Sequence, residues 1–433
     1  MQYLTKWLNY LVKIVGIIFI VTNATKINAQ DISHLSIDEA NQFARQNYPI
    51  IKQKDLIKQT ANLNIENLSK GLLPQFTVGS EATYQSDVIK LNVPLPGFKI
   101  EPLAKDQYKI FADVNQLIYD GGVIKQENEL QQLNSEVEQQ KIEVELYKLK
   151  ERVNQVYLGI LYLDAQKQEA DLIIKDIQIG ITNMEAQVQN GTAFRSNLNI
   201  LKAELLKNQQ RIIELDASKK GLIETLELFI NVHLSRDVVF EKPFIQSNIV
   251  EAEINRPEIK LYADQSKLFD HETEIIKSKN RPMASLFLQG GYGRPTFNYL
   301  NNEFGFFYIG GIRFDWSLSG LYTKKNDNQL VQINKRAVDI EKETFLLNTN
   351  TQLKQEESEI DKMDLLIASD KEIIALRDSV KESAKAQLQN GVITAHDYLT
   401  EINDEDEARQ TLITHQLQLL QAQINYQTIS GKQ

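Results

Sequence analysis

Apolar residues recur at alternating intervals of three and four positions along two very long stretches of the chain. No proline occurs in 103–242 or in 296–433, although proline costs about 3 kcal/mol inside a helix. A spacing that averages 3.5 residues predicts helices that wrap around neighbouring helices as coiled coils. Series in this register begin at Leu198, Leu346 and Ile413. The one unbroken series consists of Ile142, Leu146, Leu149, Val153, Val156, Ile160 and Leu163.

Each long helical stretch is interrupted once, and the two interruptions share the same dipeptide. Asn190-Gly191 and Asn390-Gly391 place a glycine where a helix ends, since glycine enters the left-handed conformation at little cost. The two glycines are 391 − 191 = 200 residues apart. A helix of about 65 residues at 1.5 Å per residue reaches about 100 Å before the chain turns back. The sequence therefore predicts two helical hairpins, at about 122–232 and about 320–430, as an internal repeat.

Four shorter segments alternate apolar and polar residues with a period of two. In the first of them, Phe76 and Val78 alternate with Gln75 and Thr77. Alternation over about ten residues with aromatic residues at the ends is typical of membrane β-barrel strands, although a soluble sheet packed on helices fits almost as well. A further helix is expected before each pair of strands. The predicted strands are about 74–88, 106–119, 282–293 and 305–318.

The first 29 residues have the pattern of a cleaved signal peptide. Lys6 and Lys13 supply positive charge, Ile14 to Val21 form an apolar stretch, and Ala29 precedes a plausible cleavage point. A single membrane anchor is the alternative, but the apolar stretch falls short of the roughly 20 residues that a spanning helix needs. We therefore expect an exported protein, and we expect it to enter a membrane, if it does so, as β-strands.

Composition excludes several classes of function. The chain has 433 residues, a formal net charge of −10 and no cysteine. An acidic chain without basic blocks is a poor ligand for nucleic acid, and the lack of cysteine removes disulfides, thiolate metal sites and thiol nucleophiles. The five histidines are scattered along the chain. The glycine-rich segment Gly290 to Gly293 is followed by a proline, whereas a phosphate-binding loop is followed by a helix. We expect no catalytic residue, no cofactor and no metal site.

Four strands do not close a membrane barrel. An open sheet edge in lipid leaves backbone groups unpaired, at a cost of several kcal/mol each, and known bacterial barrels begin at about eight strands. The chain is therefore expected to share a barrel with copies of itself in a cyclic assembly. Two, three or four copies are all compatible with this argument.

At this point the chain resembles the TolC-like outer-membrane efflux proteins, over essentially all of the mature sequence. The resemblance rests on 115–122 (NQLIYDGG), where the second strand enters the first long helix, and on its counterpart 315–321 (DWSLSGL). The Gly191 and Gly391 turns and the closing Ser430-Gly431 match as well. The ordered combination, repeated twice after an export signal, is more specific than any of its parts.

The resemblance implies a homotrimer with a twelve-stranded barrel in the outer membrane above an α-helical tunnel across the periplasm. It also implies a periplasmic adaptor protein and an inner-membrane transporter as partners, in efflux or in type I secretion. In this interpretation the fold is mainly α-helical with membrane β-structure and a two-fold internal repeat. The divisions are a signal peptide (1–29), a first repeat (30–232), a linker (233–255) and a second repeat (256–433).

The resemblance also suggests two sets of site residues. An acidic ring that narrows the periplasmic end of the tunnel in several family members falls on Asp397, with Thr400 at the second acidic position and Glu401 beside it. The alternative for Asp397 is a place in the first turn of a helix, where the helix dipole favours an acid. The adaptor is expected at the two turns, where packing between hairpins is the alternative for the apolar residues. The candidate contact residues are Gly191, Thr192, Phe194, Arg195, Gly391, Val392, Ile393 and His396.

Two other functions remain open from the residues alone. A periplasmic adaptor also uses a long helical hairpin, but it would show one hairpin flanked by soluble β-domains. An exported structural coiled-coil protein would lack alternating ten-residue strands. Neither the cargo nor the partner transporter is readable from the sequence.

Overall fold

The computed structural model describes residues 32–89, 102–244 and 253–432. The predicted signal peptide and most of the first strand-connecting loop lie outside these residues. Within these ranges there are two short helices, two helix pairs and two sheets, and a single helix precedes the second strand pair. In chain order the elements are β1 (Ile32–Leu35), α1 (Ile37–Asn47), α2 (Gln53–Ser69), β2 (Gln75–Tyr84), β3 (Asp106–Tyr119), α3 (Val123–Gln189), α4 (Arg195–Ile230), β4 (Leu234–Phe240), α5 (Pro257–Lys279), β5 (Met283–Arg294), β6 (Gly305–Asp315), α6 (Gly320–Gln389) and α7 (Ala395–Ser430).

Two helices dominate the molecule. Helix α3 has 67 residues and α6 has 70, so each is about 100 Å long at 1.5 Å per residue. Each turns back into a helix of 36 residues, α4 after α3 and α7 after α6, and the two members of each pair pack against each other. Helix α5 lies between α3 and α6. None of the helices described combines the length and the apolar character needed to cross a lipid bilayer.

The core of the helical region follows the heptad series. Val153, Ile160, Leu201 and Leu226 are fully buried, and the remaining positions of their series are buried or half-buried. A spacing of 3.5 residues keeps one stripe of each helix against its neighbours along the whole length, which explains why the burial extends over tens of residues. The other faces of the helices meet water.

Part of the helical core packs against a small two-stranded sheet that the sequence analysis did not predict. Strand β1 pairs in parallel with β4, and both pack on α3. The hydroxyl of Tyr157, which is fully buried on α3, lies 2.7 Å from Leu35 O and 2.8 Å from Glu241 O, so its one proton serves these two carbonyl oxygens. The predicted linker 233–255 therefore contains a strand, because its apolar residues find a partner about 200 positions earlier in the chain.

The four remaining strands form one antiparallel sheet with the order β2-β3-β5-β6. The register aligns Phe76, Val114, Leu288 and Gly310 in one row across the sheet. The strands begin and end within a few residues of the predicted bounds, and β2 ends at Tyr84 where the prediction extended to 88. The helices leave from the ends of β3 and β6, so the sheet stands at one end of the long helical region.

Candidate functional site

One face of the four-stranded sheet is apolar and exposed. Phe76 on β2 is 75% exposed and Phe306 on β6 is 88% exposed, although both are large apolar side chains. Monomeric soluble proteins seldom expose contiguous apolar patches of this kind, and such patches mark contacts with lipid or protein. The exposed large residues of this face are Phe76, Val78, Tyr84, Tyr108, Ile110, Leu286, Leu288, Tyr292, Phe306, Tyr308, Ile312 and Phe314.

The opposite face of the sheet carries most of its polar residues. Asp113 on β3 accepts a hydrogen bond from the Gln289 amide on β5 at 2.8 Å. Glu81 and Lys109 lie directly opposite each other on β2 and β3. The Arg313 guanidinium lies 4.8 Å from the centre of the Phe287 ring. A sheet with one apolar and one polar face is suited to a wall that separates lipid from water.

Both outer strands of this sheet are without a second neighbour among the described residues. Strand β2 pairs with β3 and β6 pairs with β5, which leaves one row of backbone groups open on each side. Strand edges of ten and eleven residues are long enough to pair with further strands, and an exposed edge invites such pairing. The chain therefore presents two complementary edges of one sheet.

The two helix turns have the same backbone and lie side by side. Gly191 and Gly391 adopt φ of 74° and 70°, which an L-residue with a side chain adopts only at a cost. In both turns the residue after the glycine donates to a glutamine carbonyl, Thr192 to Gln187 and Val392 to Gln387, each at 2.9 Å. The side chain of Gln187 also donates to Leu388 O at 2.9 Å and thus joins one turn to the other.

Most of the predicted adaptor-contact residues are exposed at these turns. Phe194 is 81% exposed and Val392 is 70% exposed, and the side chains of Thr192, Arg195 and His396 are also open to solvent. Ile393 differs, because it is half-buried against the apolar cluster behind the turns. Packing between the hairpins, the alternative considered for the apolar turn residues, therefore describes Ile393.

The predicted gate residue Asp397 takes part in a capping box at the start of α7. Its carboxylate accepts hydrogen bonds from the Thr394 backbone N–H at 2.9 Å and from the Thr394 hydroxyl at 2.7 Å. In return, the Asp397 N–H donates to the Thr394 hydroxyl at 3.2 Å, which completes the box. These hydrogen bonds from Thr394 hold the pKa of Asp397 below its usual value. The side chain remains exposed.

The two residues named with Asp397 have different surroundings. The Thr400 hydroxyl donates to His396 O at 3.1 Å, which is a common satisfaction of a hydroxyl within a helix. Glu401 lies 3.8 Å from the Arg377 guanidinium on α6, and the same guanidinium is 2.8 Å from Asp404. Within this single chain the structure does not bring Asp397, Thr400 and Glu401 into a common contact.

A buried ionic cluster behind the turns was missed by the sequence analysis. Lys381 on α6 is 2.5 Å from Glu405 on α7 and 3.0 Å from Asp176 on α3. Arg409 on α7 contacts the same Glu405 at 2.7 Å and reaches Glu169 on α3 at 3.5 Å. Burial raises the pKa of Glu169, and Arg409 counteracts that rise.

The ionic cluster joins all four long helices, because Arg211 on α4 contacts Asp406 on α7 at 3.2 Å. A signal for it was present in the sequence as the acidic run 404–407, which is too charged for an ordinary coiled-coil face. The partners of that run lie on other helices, so only the packing identifies them.

No protein-family model and no curated protein matches the chain. Solved structures do match it: CusC at a TM-score of 0.66 and 14% identity, covering 92% of both chains. VceC of Vibrio cholerae, described as an outer membrane protein, has a TM-score of 0.65 and 12% identity over 92% of this chain and 96% of its own.

A third structure extends the likeness. The open state of the MtrE outer membrane channel of Neisseria gonorrhoeae matches at a TM-score of 0.64 and 13% identity, over 92% of this chain and 89% of its own. At such low identity a likeness of structure shows the fold, and here it does so over nearly the full length of each chain. The resemblance drawn from the sequence is confirmed at this level: the protein has the fold of the TolC-like outer-membrane channels.

Proposed function

We propose that this protein is the outer-membrane channel subunit of a tripartite efflux or type I secretion system. The observation that carries the proposal is the four-stranded sheet with an exposed apolar face, a polar face and two open edges, placed at the end of hairpins about 100 Å long. Lipid covers the apolar face, water fills the space behind the polar face, and copies of the chain pair the open edges.

Three copies, each with four strands, make a barrel of twelve strands. The helices offer a second surface for the same assembly, because α6 carries exposed apolar residues at intervals of seven. Ile333, Ile340 and Leu347 are each about 60% exposed and lie outside the buried seam of their own hairpin. Leu206 and Ile213 on α4 repeat this spacing with similar exposure. Packing of these stripes between subunits turns the hairpins into a tunnel below the barrel.

The tunnel serves as a passive exit duct, and its far end is the place of contact with a periplasmic adaptor. Phe194 and Val392 project from the two adjacent turns, so their burial by a partner would remove two large apolar side chains from water. The adaptor in turn couples the duct to an inner-membrane transporter, which supplies energy and selects cargo. Neither a cofactor nor a catalytic residue has a part in this function.

The first experiment is membrane fractionation of the natural host, followed by light scattering of the detergent-extracted protein. The expected result is an outer-membrane protein with a mass of three subunits that depends on detergent to stay in solution. A monomer in the periplasmic extract would overturn the proposal and favour an adaptor or an exported coiled-coil protein.

A variant pair tests the place of adaptor contact. Replacing Phe194 by Thr and Asn197 by Asp gives the first turn the capping box that the second turn has, so the turn itself becomes more stable. Export should nevertheless fall in the natural host, because the exposed ring is lost. The matched control is Phe306→Thr in the sheet, which removes an equally exposed ring at the other end of the molecule. Unchanged export in the turn variant would exclude Phe194 as a contact.

A further inference from the structure

A single row across the polar face of the sheet alternates glycine and phenylalanine. The register places Gly79 on β2 opposite Phe111 on β3, Phe111 opposite Gly291 on β5, and Gly291 opposite Phe307 on β6. Side chains two positions apart on a strand lie on the same face, so Phe111 shares the polar face with Asp113, and Gly291 shares it with Gln289. Gly79 and Phe307 lie directly opposite these two residues on the neighbouring strands and therefore belong to the same face. We call these four residues the aromatic row.

The two rings of the row lie over the glycines beside them. A Cβ on Gly79 would be 2.8 Å from the Phe111 ring, and a Cβ on Gly291 would be 2.6 Å from the Phe307 ring. These distances are shorter than any real contact of a Cβ, so only glycine permits the rings to come so close to the backbone. Phe111 and Phe307 are both half-buried on this face of the sheet.

The rows on either side of the aromatic row carry polar and charged residues, although the row towards the helices also contains Ile309 at its β6 end. Towards the connecting loops, the next row contains Glu81 and Lys109 opposite each other. Towards the helices, the next row contains Asp113 and Gln289, joined by their hydrogen bond. The Phe297 ring of the loop between β5 and β6 packs against the Phe307 ring, with 5.2 Å between the ring centres and the two planes nearly perpendicular. The aromatic row is thus an apolar band next to the loops, bordered on both sides by charged residues on β2 and β3.

We propose that the aromatic row is a binding band for organic cations that carry a flat apolar group, on their way out through the bore. The inference rests on the proposed function, because only the closed barrel makes the polar face an inner wall. A register that keeps Gly79 of one copy level with Phe307 of the next continues the alternation around the bore, which then presents six rings in one belt.

Two features of the belt favour a cation with an aromatic or otherwise flat part. The face of a phenyl ring attracts positive charge within about 6 Å of its centre and also stacks with another flat group. Asp113 lies one row away, and its hydrogen-bond partner Gln289 carries no charge that would neutralise it. In the row on the other side, Lys109 lies opposite Glu81, so the positive and negative charges of that row cancel.

The test uses the purified protein in lipid nanodiscs and two small cations of equal charge. Benzyltrimethylammonium carries a phenyl group and tetramethylammonium lacks it. Binding of each cation is titrated by isothermal calorimetry, and the heat measured with empty nanodiscs is subtracted so that partition into lipid does not count as binding. Benzyltrimethylammonium should bind more tightly than tetramethylammonium, and the double variant Phe111→Ser/Phe307→Ser should raise its apparent Kd about fivefold, as expected for the loss of about 1 kcal/mol of contact with the rings.

Phe306→Ser is the matched control, because Phe306 precedes Phe307 but lies on the opposite, apolar face. Binding should be unchanged in this control. Phe111→Leu/Phe307→Leu keeps an apolar cover over both glycines and removes only the aromatic faces, so it replaces the serine variant where that variant does not fold. Equal binding of benzyltrimethylammonium by the double variant and by the Phe306 control would overturn the inference. The mass of the extracted protein is measured separately, and a monomer would overturn the proposed function itself.

Discussion

The two helix turns of this protein share a backbone and differ in how their second helix begins. Both turns place a glycine in the left-handed region and bond the next residue back to a glutamine carbonyl. Helix α7 starts with Thr394 and Asp397, which form a capping box. Helix α4 starts at the equivalent positions with Phe194 and Asn197, and no side chain caps it.

The difference shows that the first turn has an exposed aromatic side chain in the place where a capping residue would stabilise the helix. A Ser, Thr, Asp or Asn cap is worth about 1 kcal/mol relative to an apolar residue, and the chain uses such a cap 200 residues later in the same backbone. Phe194 forgoes it and exposes most of a phenyl ring to water. The proposed adaptor contact would account for a residue that weakens its own helix and leaves most of its ring exposed in the single chain.

The largest effect is expected where the two hairpins are joined behind the turns. Lys381→Ala removes the cation shared by Glu405 and Asp176 and leaves Glu405 with Arg409 alone, which costs up to about 3 kcal/mol. The midpoint of thermal unfolding measures the loss. Lys362→Ala is the control, since Lys362 pairs with Glu359 on the exposed side of the same helix, and its removal should change stability by about 0.5 kcal/mol or less. Equal effects of the two variants would show that the cluster does not hold the hairpins together.

A second test concerns what the turns have in common. Gly191→Ala and Gly391→Ala each force a side chain into the left-handed region, at a cost of about 1–2 kcal/mol. An added Cβ meets no atom within 4 Å at either glycine, so no clash distinguishes them. Hydrogen exchange of the adjoining helix ends should therefore show two equal losses of protection. A clear inequality would mean that the two turns differ in more than their caps.

The capping difference itself predicts changes of opposite sign. Thr394→Ala removes the box from α7 and should lower the protection of its first-turn amides by about 1 kcal/mol. Phe194→Thr with Asn197→Asp builds the box on α4 and should raise protection there by a similar amount. Hydrogen exchange is measured on each variant separately, and the turn that is not mutated serves as the internal reference. Unchanged protection of the first-turn amides of α4 in the variant with the rebuilt box would contradict this prediction.

The smallest effect is a dependence on pH at the second turn alone. The pKa of Asp397 is lowered in the fold by its hydrogen bonds with Thr394. Its contribution is complete above the ordinary carboxyl value of 3.8 and is lost as the pH falls through the lower value in the folded protein. First-turn amides of α7 should thus lose protection on acidification, whereas those of α4 should not. Asp397→Asn should abolish the dependence, which a persistent acid response would contradict.

Sequence reasoning reached the candidate sites unevenly. The glycines of the turns were visible because a left-handed residue after a helix has a local signature. The capping box of Thr394 and Asp397 was equally local, and the helix-start alternative for Asp397 describes its contacts within the subunit. Lys381 gave no such signal, because its partners lie on α3 and α7 at distances along the chain that no periodicity reports.

The sequence by itself determined the local conformations: heptads specify long helices, alternation specifies strands, and glycines specify where the helices turn back. These features depend on neighbours a few positions away, so they are written in the pattern. Tertiary structure alone decided which segments meet. The parallel pairing of β1 with β4, the ionic cluster and the alternation of Gly79, Phe111, Gly291 and Phe307 join residues from distant parts of the chain. Their energies come from packing and register, which exist only once the chain has folded.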